Sequence, residues 1–445
     1  MTLTQDFARR IADAQPLQDA AAVHAAREGV LDFLASAFPG PADPAWHRLR
    51  GVLPQAGGPA RVIGQATTAD AASAALLNGY AGHALDFDDV HSSVRGHPGT
   101  VLLPALFALA DTLPDATALD LIDAYIVGVE AMARLGLALG SKHYETGFHN
   151  TATLGPLGAA AACARLLKLG AATTENALGL AATQAGGLRL QFGSEAKPLH
   201  AGLAARSGLF AAQLAQAGLQ GSPGVLEAPI GFLDAYGFGA ADAQRAMAGW
   251  GSPWQIVTPG LYFKPYACCT ATHYAADAAL ALRAEHQLRA EDIAAVRVVF
   301  PPAGDTPLTV TDPATGLEGR FSVEYVLAAA LVDGALGLSL FDERAAREDL
   351  RSFGRLVSRA YDADAPRAST DPQTRFSTVE VRLHDGRQLS RRVQGLSRAR
   401  DLAAKYADTT AQQPEALRAV PALVGRMHSR DDLLQLTALF SLVHA

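Results

Sequence analysis

The densest run of groups able to move protons is His83-Ala-Leu-Asp86-Phe-Asp88-Asp89-Val-His91, followed by His97-Pro98-Gly99. Asp86 and Asp89 stand three apart at the end of an apolar stretch with helical period, so they share a face. Carboxylates at a helix C-terminus oppose the macrodipole, a poor choice for stability alone. An acidic turn in solvent is the plain alternative. A metal site built from Asp86, Asp88, Asp89 and His91 is another, but EF-hand spacing is absent and imidazoles suit a hard cation badly.

Further groups share a local pattern. His97, Lys197 and Lys264 each precede a proline, at Pro98, Pro198 and Pro265. A residue before proline is pushed out of the helical region, and proline itself favours the first helical position. These side chains are therefore expected at loop ends near helix starts. His149 is placed alike, because Gly147-Phe148-His149-Asn150-Thr151 supplies cap residues before an Ala-rich stretch. Helix N-termini favour anions and keep a nearby imidazole neutral, able to serve as a base. A lone lysine before proline is ordinarily a surface residue; the constellation carries the weight.

Weaker arrangements compete. Cys268-Cys269 with His273 has the composition of a thiol and its base, but a buried structural cysteine at a helix entry is the commoner outcome. The chain has no GxSxG elbow, no GxxxxGK[ST] loop and no GxGxxG after a strand, so hydride-transfer cofactors and nucleotides have no visible cradle. His24, His47, His143, His286, His384, His428 and His444 are scattered and expected to be exposed.

The elements that must hold these groups are helical over the first 250 or so residues. Helical period marks a segment around Ala21–Leu34, then Ala71–Leu85, Val101–Asp111, Ala118–Leu139, Thr151–Leu169, Thr174–Gly186, Pro198–Gly218 and Ala240–Gly249. Their small residues permit close packing into a bundle. After about residue 287 the texture changes. Ile293–Phe300 reads as a strand, and Thr378–Leu383 and Gln388–Val393 flank Asp385-Gly386 as a hairpin. Helices are expected at Val323–Asp333 and Glu343–Ser358, a polar loop at Asp362–Arg375, and helices again at Pro414–Val424 and Arg430–Val443. The layout is a mainly α protein: an all-helical domain over 1–265 and 405–445, with an α+β domain over 266–404 inserted before the last helices.

The 445 residues are 49% hydrophobic and 18% charged, so they can bury a large core. A net charge of −7 argues against nucleic-acid binding, and an anionic substrate would need a locally basic pocket. Three cysteines exclude a disulfide scaffold, and without a CxxC pair they make a poor zinc or iron–sulfur site. The N-terminus lacks the apolar region of a signal peptide, and stretches such as Val101–Ala110 fall short of a membrane span. A soluble, cytoplasmic protein is expected.

The segments Asp86-Phe-Asp-Asp89, His97-Pro-Gly, Gly147-Phe-His149-Asn-Thr, Lys197-Pro-Leu-His200-Ala-Gly202, Phe263-Lys264-Pro-Tyr266 and Phe321-Ser-Val-Glu-Tyr325 resemble, in order, those of the MmgE/PrpD family. That family contains 2-methylcitrate dehydratases, cis-aconitate decarboxylases and iminodisuccinate epimerases. The resemblance implies a homodimer in which each subunit has a helical domain, a smaller α+β lid and an active site between them. It implies cofactor-free chemistry on a small di- or tricarboxylic acid, with no metal. By motif position, Asp86, His97, His149, Lys197, Lys264 and Tyr325 would line the pocket, with His200 and Asp89 also touching substrate. Decarboxylase-like members commonly have Thr where this chain has Val90, and Gly-Asn where it has Gly202-Leu203. The loop from Asp86 to His97 is one residue longer.

These family reactions make or quench a carbanion beside a carboxylate. Lys197 and Lys264 would hold its oxygens, with stabilisation that grows as charge develops. His149 is the expected base. His97, oriented by Asp86, is the expected acid, and Tyr325 would donate a hydrogen bond from the lid. A 2-methylcitrate dehydratase-like hydro-lyase comes first in this reading, epimerisation second and decarboxylation third. A metal-dependent lyase and a non-catalytic helical scaffold stand outside the family.

Overall fold

A computed structural model describes residues 1–54, 57–368, 373–395 and 402–444. The chain is mainly helical, and its apolar side chains gather in two large cores among the described residues. One runs from Phe7 to Leu261 and takes in Tyr406–Val443; the other spans Tyr266–Leu383 and receives Phe87 from the helical part. Tyr406, Val420, Leu436 and Phe440 near the C-terminus pack within the first core.

The bundle is close-packed because its helices meet through small residues. The Ala71–His83 helix starts where the Asp70 carboxylate accepts from the Ser73 amide at 2.9 Å. Along it, a Cβ on Gly79 would come within 2.7 Å of Gly202 Cα on the Ala196–Gln216 helix. The Ala118–Leu139 helix opens with a capping box between Thr117 and Asp120. The Gly99–Ala110 and Asn150–Leu166 helices are buried along almost their whole length, which explains why their sequences show little amphipathic contrast.

The α+β part is a four-stranded sheet in the order Val357–Tyr361, Ile293–Phe300, Phe376–Leu383, Gln388–Gln394. The first pair is parallel, with Val296 opposite Val357; the others are antiparallel. Gly386 takes φ +91 in the expected hairpin turn. The Thr270–His286 and Val323–Val332 helices supply the rest of the second core.

Two expected helices are corrected. Ala240–Gly249 contains only a short 3-10 turn, Ala243–Ala246, because Asp242 caps its start and Gly249 takes φ +71 after it. Glu343–Ser358 is helical only over Glu348–Gly354, and Val357–Tyr361 then becomes a strand because Ile293–Phe300 offers it an edge. The Asp362–Arg375 loop falls partly outside the described residues. No helix among the described residues is long and apolar enough to cross a membrane.

Candidate active site

A cavity of about 530 Å³ is lined by both parts of the chain. Asp86, His97, His149 and Lys197 come from the helical part; Lys264, Cys269 and Phe321 come from the segment that enters and forms the second core.

Its anchor is Asp86, just past the end of the Ala71–His83 helix. Asp86 takes φ +49, a left-handed conformation that costs about 1–3 kcal/mol in a residue other than glycine. Buried cations hold it there. Lys197 Nζ donates to Asp86 Oδ1 at 2.5 Å, and Lys264 Nζ donates to the same oxygen at 2.6 Å and to the Asp86 carbonyl at 2.9 Å. Arg320 donates to the Ala84 carbonyl just upstream and, through Nε, to the Phe341 carbonyl at 2.9 Å.

The charges support one another. Burial would raise the Asp86 pKa, but Lys197 and Lys264 outweigh it and hold the carboxyl well below its usual range. Burial would lower that of Lys264, yet Asp86 and Asp88 leave it raised. Lys197 is lowered, by burial first and by Lys264 against the pull of Asp86. The ammonium of Lys197 also lies 5.3 Å from the ring centres of Phe192 and Phe321, an aromatic pair that shields it from water. The result is two adjacent cations in a protein of net charge −7.

Three imidazoles face this pair. His149 precedes the Asn150–Leu166 helix, and its Nδ1 lies 3.0 Å from His200 Nδ1. Burial, then Lys197, pushes the His149 pKa well down, so the ring is neutral. His97 Nδ1 donates to the Asp89 carbonyl at 2.8 Å and lies 3.3 Å from Asp88 Oδ2. That tautomer leaves Nε2 as the working nitrogen. His83 Nδ1 sits 2.9 Å from both Asp88 oxygens, and burial pushes its pKa down to about 3.

The geometry revises three expected roles. Asp86 does not orient His97: its nearest oxygen is 4.0 Å from His97 Nε2, and Asp88 with the Asp89 carbonyl does the holding instead. The Asp89 carboxylate accepts from the Gly99 amide at 3.0 Å, capping that helix beneath the cavity rather than lining it. Tyr325 is buried in the second core, where its hydroxyl accepts from the Arg347 amide at 3.2 Å, outside the cavity lining. His200 stands behind His149. His143, expected at the surface, is buried, bonded to the Tyr236 carbonyl and Thr153 Oγ1.

The alternatives separate as well. His273 Nε2 bonds the Cys268 carbonyl, and the Cys268 thiol meets Thr272 at 3.2 Å, so these two groups are engaged elsewhere than with each other. Asp89 and His91 turn away from Asp86: His91 Nε2 bonds the Gln255 carbonyl at 2.9 Å. Among the described residues, metal-ligand spacing is found instead in His83, His97 and His149, and in His83, Asp86, Asp88 and His97. In the second set Asp86 is already the counter-ion of two lysines.

Sequence reading missed the His83–Asp88 pair as the support of His97, although both stood in the quoted cluster. It also missed Arg95, Arg189, Arg367 and Arg375, which add cations to the cavity wall. They are scattered along the chain from Arg95 to Arg375 and have no shared local pattern.

Residues 5–244 match the model of the MmgE/PrpD N-terminal domain, and residues 266–404 match that of the MmgE/PrpD C-terminal domain. The chain is 34% identical over 278 residues to a human cis-aconitate decarboxylase, covering 61% of this chain and 57% of that one. It is 31% identical over 334 residues to the mouse cis-aconitate decarboxylase, covering 72% and 66%. It is 31% identical over 364 residues to one from Aspergillus terreus, covering 76% and 73%. The alignments thus span less than two thirds of the two mammalian relatives. Two domain models matched in order, over the two parts that meet at the cavity, identify the chain as a member of the MmgE/PrpD family.

Proposed function

We propose that this chain is a lyase acting on a small polycarboxylate through a carbanion beside a carboxylate. The observation that carries the reading is the meeting of Lys197 and Lys264 on one buried carboxylate, opposite two neutral-capable imidazoles. The lysines' remaining N–H groups can donate to carboxylate oxygens whose charge rises in the transition state, and donors fixed in advance stabilise that state most. The α+β part, which contributes Phe321 and begins just after Lys264, serves as the lid.

The named relatives favour cis-aconitate as substrate. In that reaction the bond to one carboxylate breaks, CO2 leaves, and its electron pair spreads onto the remaining carboxylates held by the lysines. A proton from an imidazolium then completes the unsaturated diacid. His97 suits this delivery, since Asp88, 3.3 Å from its Nδ1, and the Asp89 carbonyl hold the ring so that Nε2 is the nitrogen turned to the cavity. Val90 in the cavity wall favours a second reading, because decarboxylase-like members of the family commonly carry Thr there. That reading is dehydration of a 2-methylcitrate-like hydroxy acid. His149 would remove the α-proton, and His97 would protonate the departing hydroxyl.

Proton NMR in D2O with each acid tests both. Conversion of cis-aconitate with one deuteron built into the product is expected, and His149→Gln and His97→Gln should each lower kcat by about 10²–10⁴-fold. Loss of water from 2-methylcitrate without decarboxylation of cis-aconitate would install the second reading. A folded protein inert to both acids would refute the two together.

A further inference from the structure

Lys405 lies on the Leu402–Thr409 helix, one residue beyond the matched family domain. The helix packs on the first core, far along the chain from every residue discussed above. Yet the Lys405 side chain is 3% exposed, and its Nζ reaches two targets. It donates to Asp32 Oδ1 at 2.6 Å and to the Phe87 carbonyl at 2.6 Å. The same ammonium sits 4.0 Å over the Phe87 ring.

Phe87 is the residue between Asp86 and Asp88. Its ring is seated in the second core while its carbonyl faces the first. Consecutive carbonyls of this loop are therefore each held by a buried ammonium: Asp86 O by Lys264 and Phe87 O by Lys405. The next carbonyl but one, Asp89 O, holds His97 Nδ1. A shift of the Phe87 peptide plane would move Asp86, which sets both lysines, and Asp88, which sets His83 and His97, at the same time.

A buried ammonium costs several kcal/mol of desolvation, recovered only with good geometry and satisfied partners. A helix anchored by Tyr406, whose hydroxyl donates to the Leu417 carbonyl at 2.9 Å, does not need one for docking. We infer that Lys405, with Asp32 as its counter-ion, is a positioning residue that fixes the Asp86–Asp89 loop in its working conformation. Its catalytic consequence rests on the lyase reading above; its effect on the loop does not.

The test uses the full chain with Lys405→Met, Lys405→Arg and, as a control on helix docking, Tyr406→Phe. Hydrogen exchange of peptides covering residues 84–91 reads the loop with no substrate present. Lys405→Met should accelerate exchange there at least about tenfold, Lys405→Arg should restore most of the protection, and Tyr406→Phe should leave it unchanged. In turnover, Lys405→Met should lower kcat about 100-fold, the cost of a misplacement near 1 Å, and Lys405→Arg should recover much of it. If Lys405→Met does not fold, Asp32→Asn with Lys405→Met removes both buried charges and is expected to show the same loop exchange. Unchanged exchange at 84–91, or equal acceleration in Tyr406→Phe, would overturn the inference. If the wild type turned over neither acid while the exchange pattern appeared as expected, the lyase reading would fail and the loop role would stand.

Discussion

Each imidazole near the cavity is assigned its work by what holds its other nitrogen. His97 and His83 share Asp88, and His149 leans on His200. Burial sets the charge state of His83 and His149, and that has a consequence for stability which His143 isolates, because it lies outside the proposed machinery. Burial pushes the His143 pKa down to about 4. The unfolded chain takes up this proton near 6.5, so the native state binds fewer protons between those values. The stability contribution is then whole above pH 6.5 and is lost as pH falls toward 4. His143→Gln should therefore flatten the dependence of unfolding free energy on pH across that interval, measured by denaturant titration at several pH values. An unaltered slope would mean that His143 titrates normally. Asp32 runs the other way: burial pushes it up to about 6 despite Lys405, so its contribution is largest at low pH and declines as pH rises from about 4 toward 6.

At the scale of elements, glycine contacts decide how near the two helices around the site can come. A Cβ on Gly202 would collide with the Leu76 carbonyl on the Ala71–His83 helix. That helix ends just before Asp86, and the helix bearing Gly202 carries Lys197 in its first turn. Gly202→Ala is expected to destabilise the protein by about 1–3 kcal/mol through overpacking and to weaken turnover, seen as a lower thermal midpoint together with a lower kcat. A wild-type midpoint would show that the helices separate freely. Much of this level was legible in the sequence. Ile293–Phe300, the hairpin about Asp385-Gly386 and the Ala118–Leu139 helix follow from local period and turn chemistry. Val357–Tyr361 did not, because its strand identity comes from a partner about sixty residues away. The site was legible as residue types but less so as roles. Asp86, Asp88 and Asp89 are neighbours in sequence, yet their carboxylates serve the lysines, the histidines and a helix N-terminus respectively. Lys405 gave no signal, since an isolated lysine on a short helix reads as surface.

Across the whole molecule, an acidic chain encloses a cationic cavity. Lys197, Lys264 and four arginines reach its wall while the formal charge is −7. A polyanionic substrate must cross a repulsive exterior to reach an attractive interior, and both fields weaken with salt. The Debye length falls from about 10 Å at 0.1 M to about 3 Å at 1 M. Inside a desolvated pocket the attraction dominates. KM for the acid should therefore rise about three- to tenfold between 0.05 and 0.5 M sodium chloride, with kcat nearly constant. A KM independent of salt would indicate that binding rests on neutral contacts.

The cations that shape the Asp86 loop take hold of peptide oxygens at Ala84, Asp86 and Phe87. Every amino acid supplies that oxygen. The curve of the loop is thus written in parts of the chain that substitution within the loop cannot remove, while other side chains of the cavity wall, Val90 and Cys269 among them, carry no such duty. A descendant of this protein can change what it accepts by altering that wall and still inherit the same arrangement of charge at its centre.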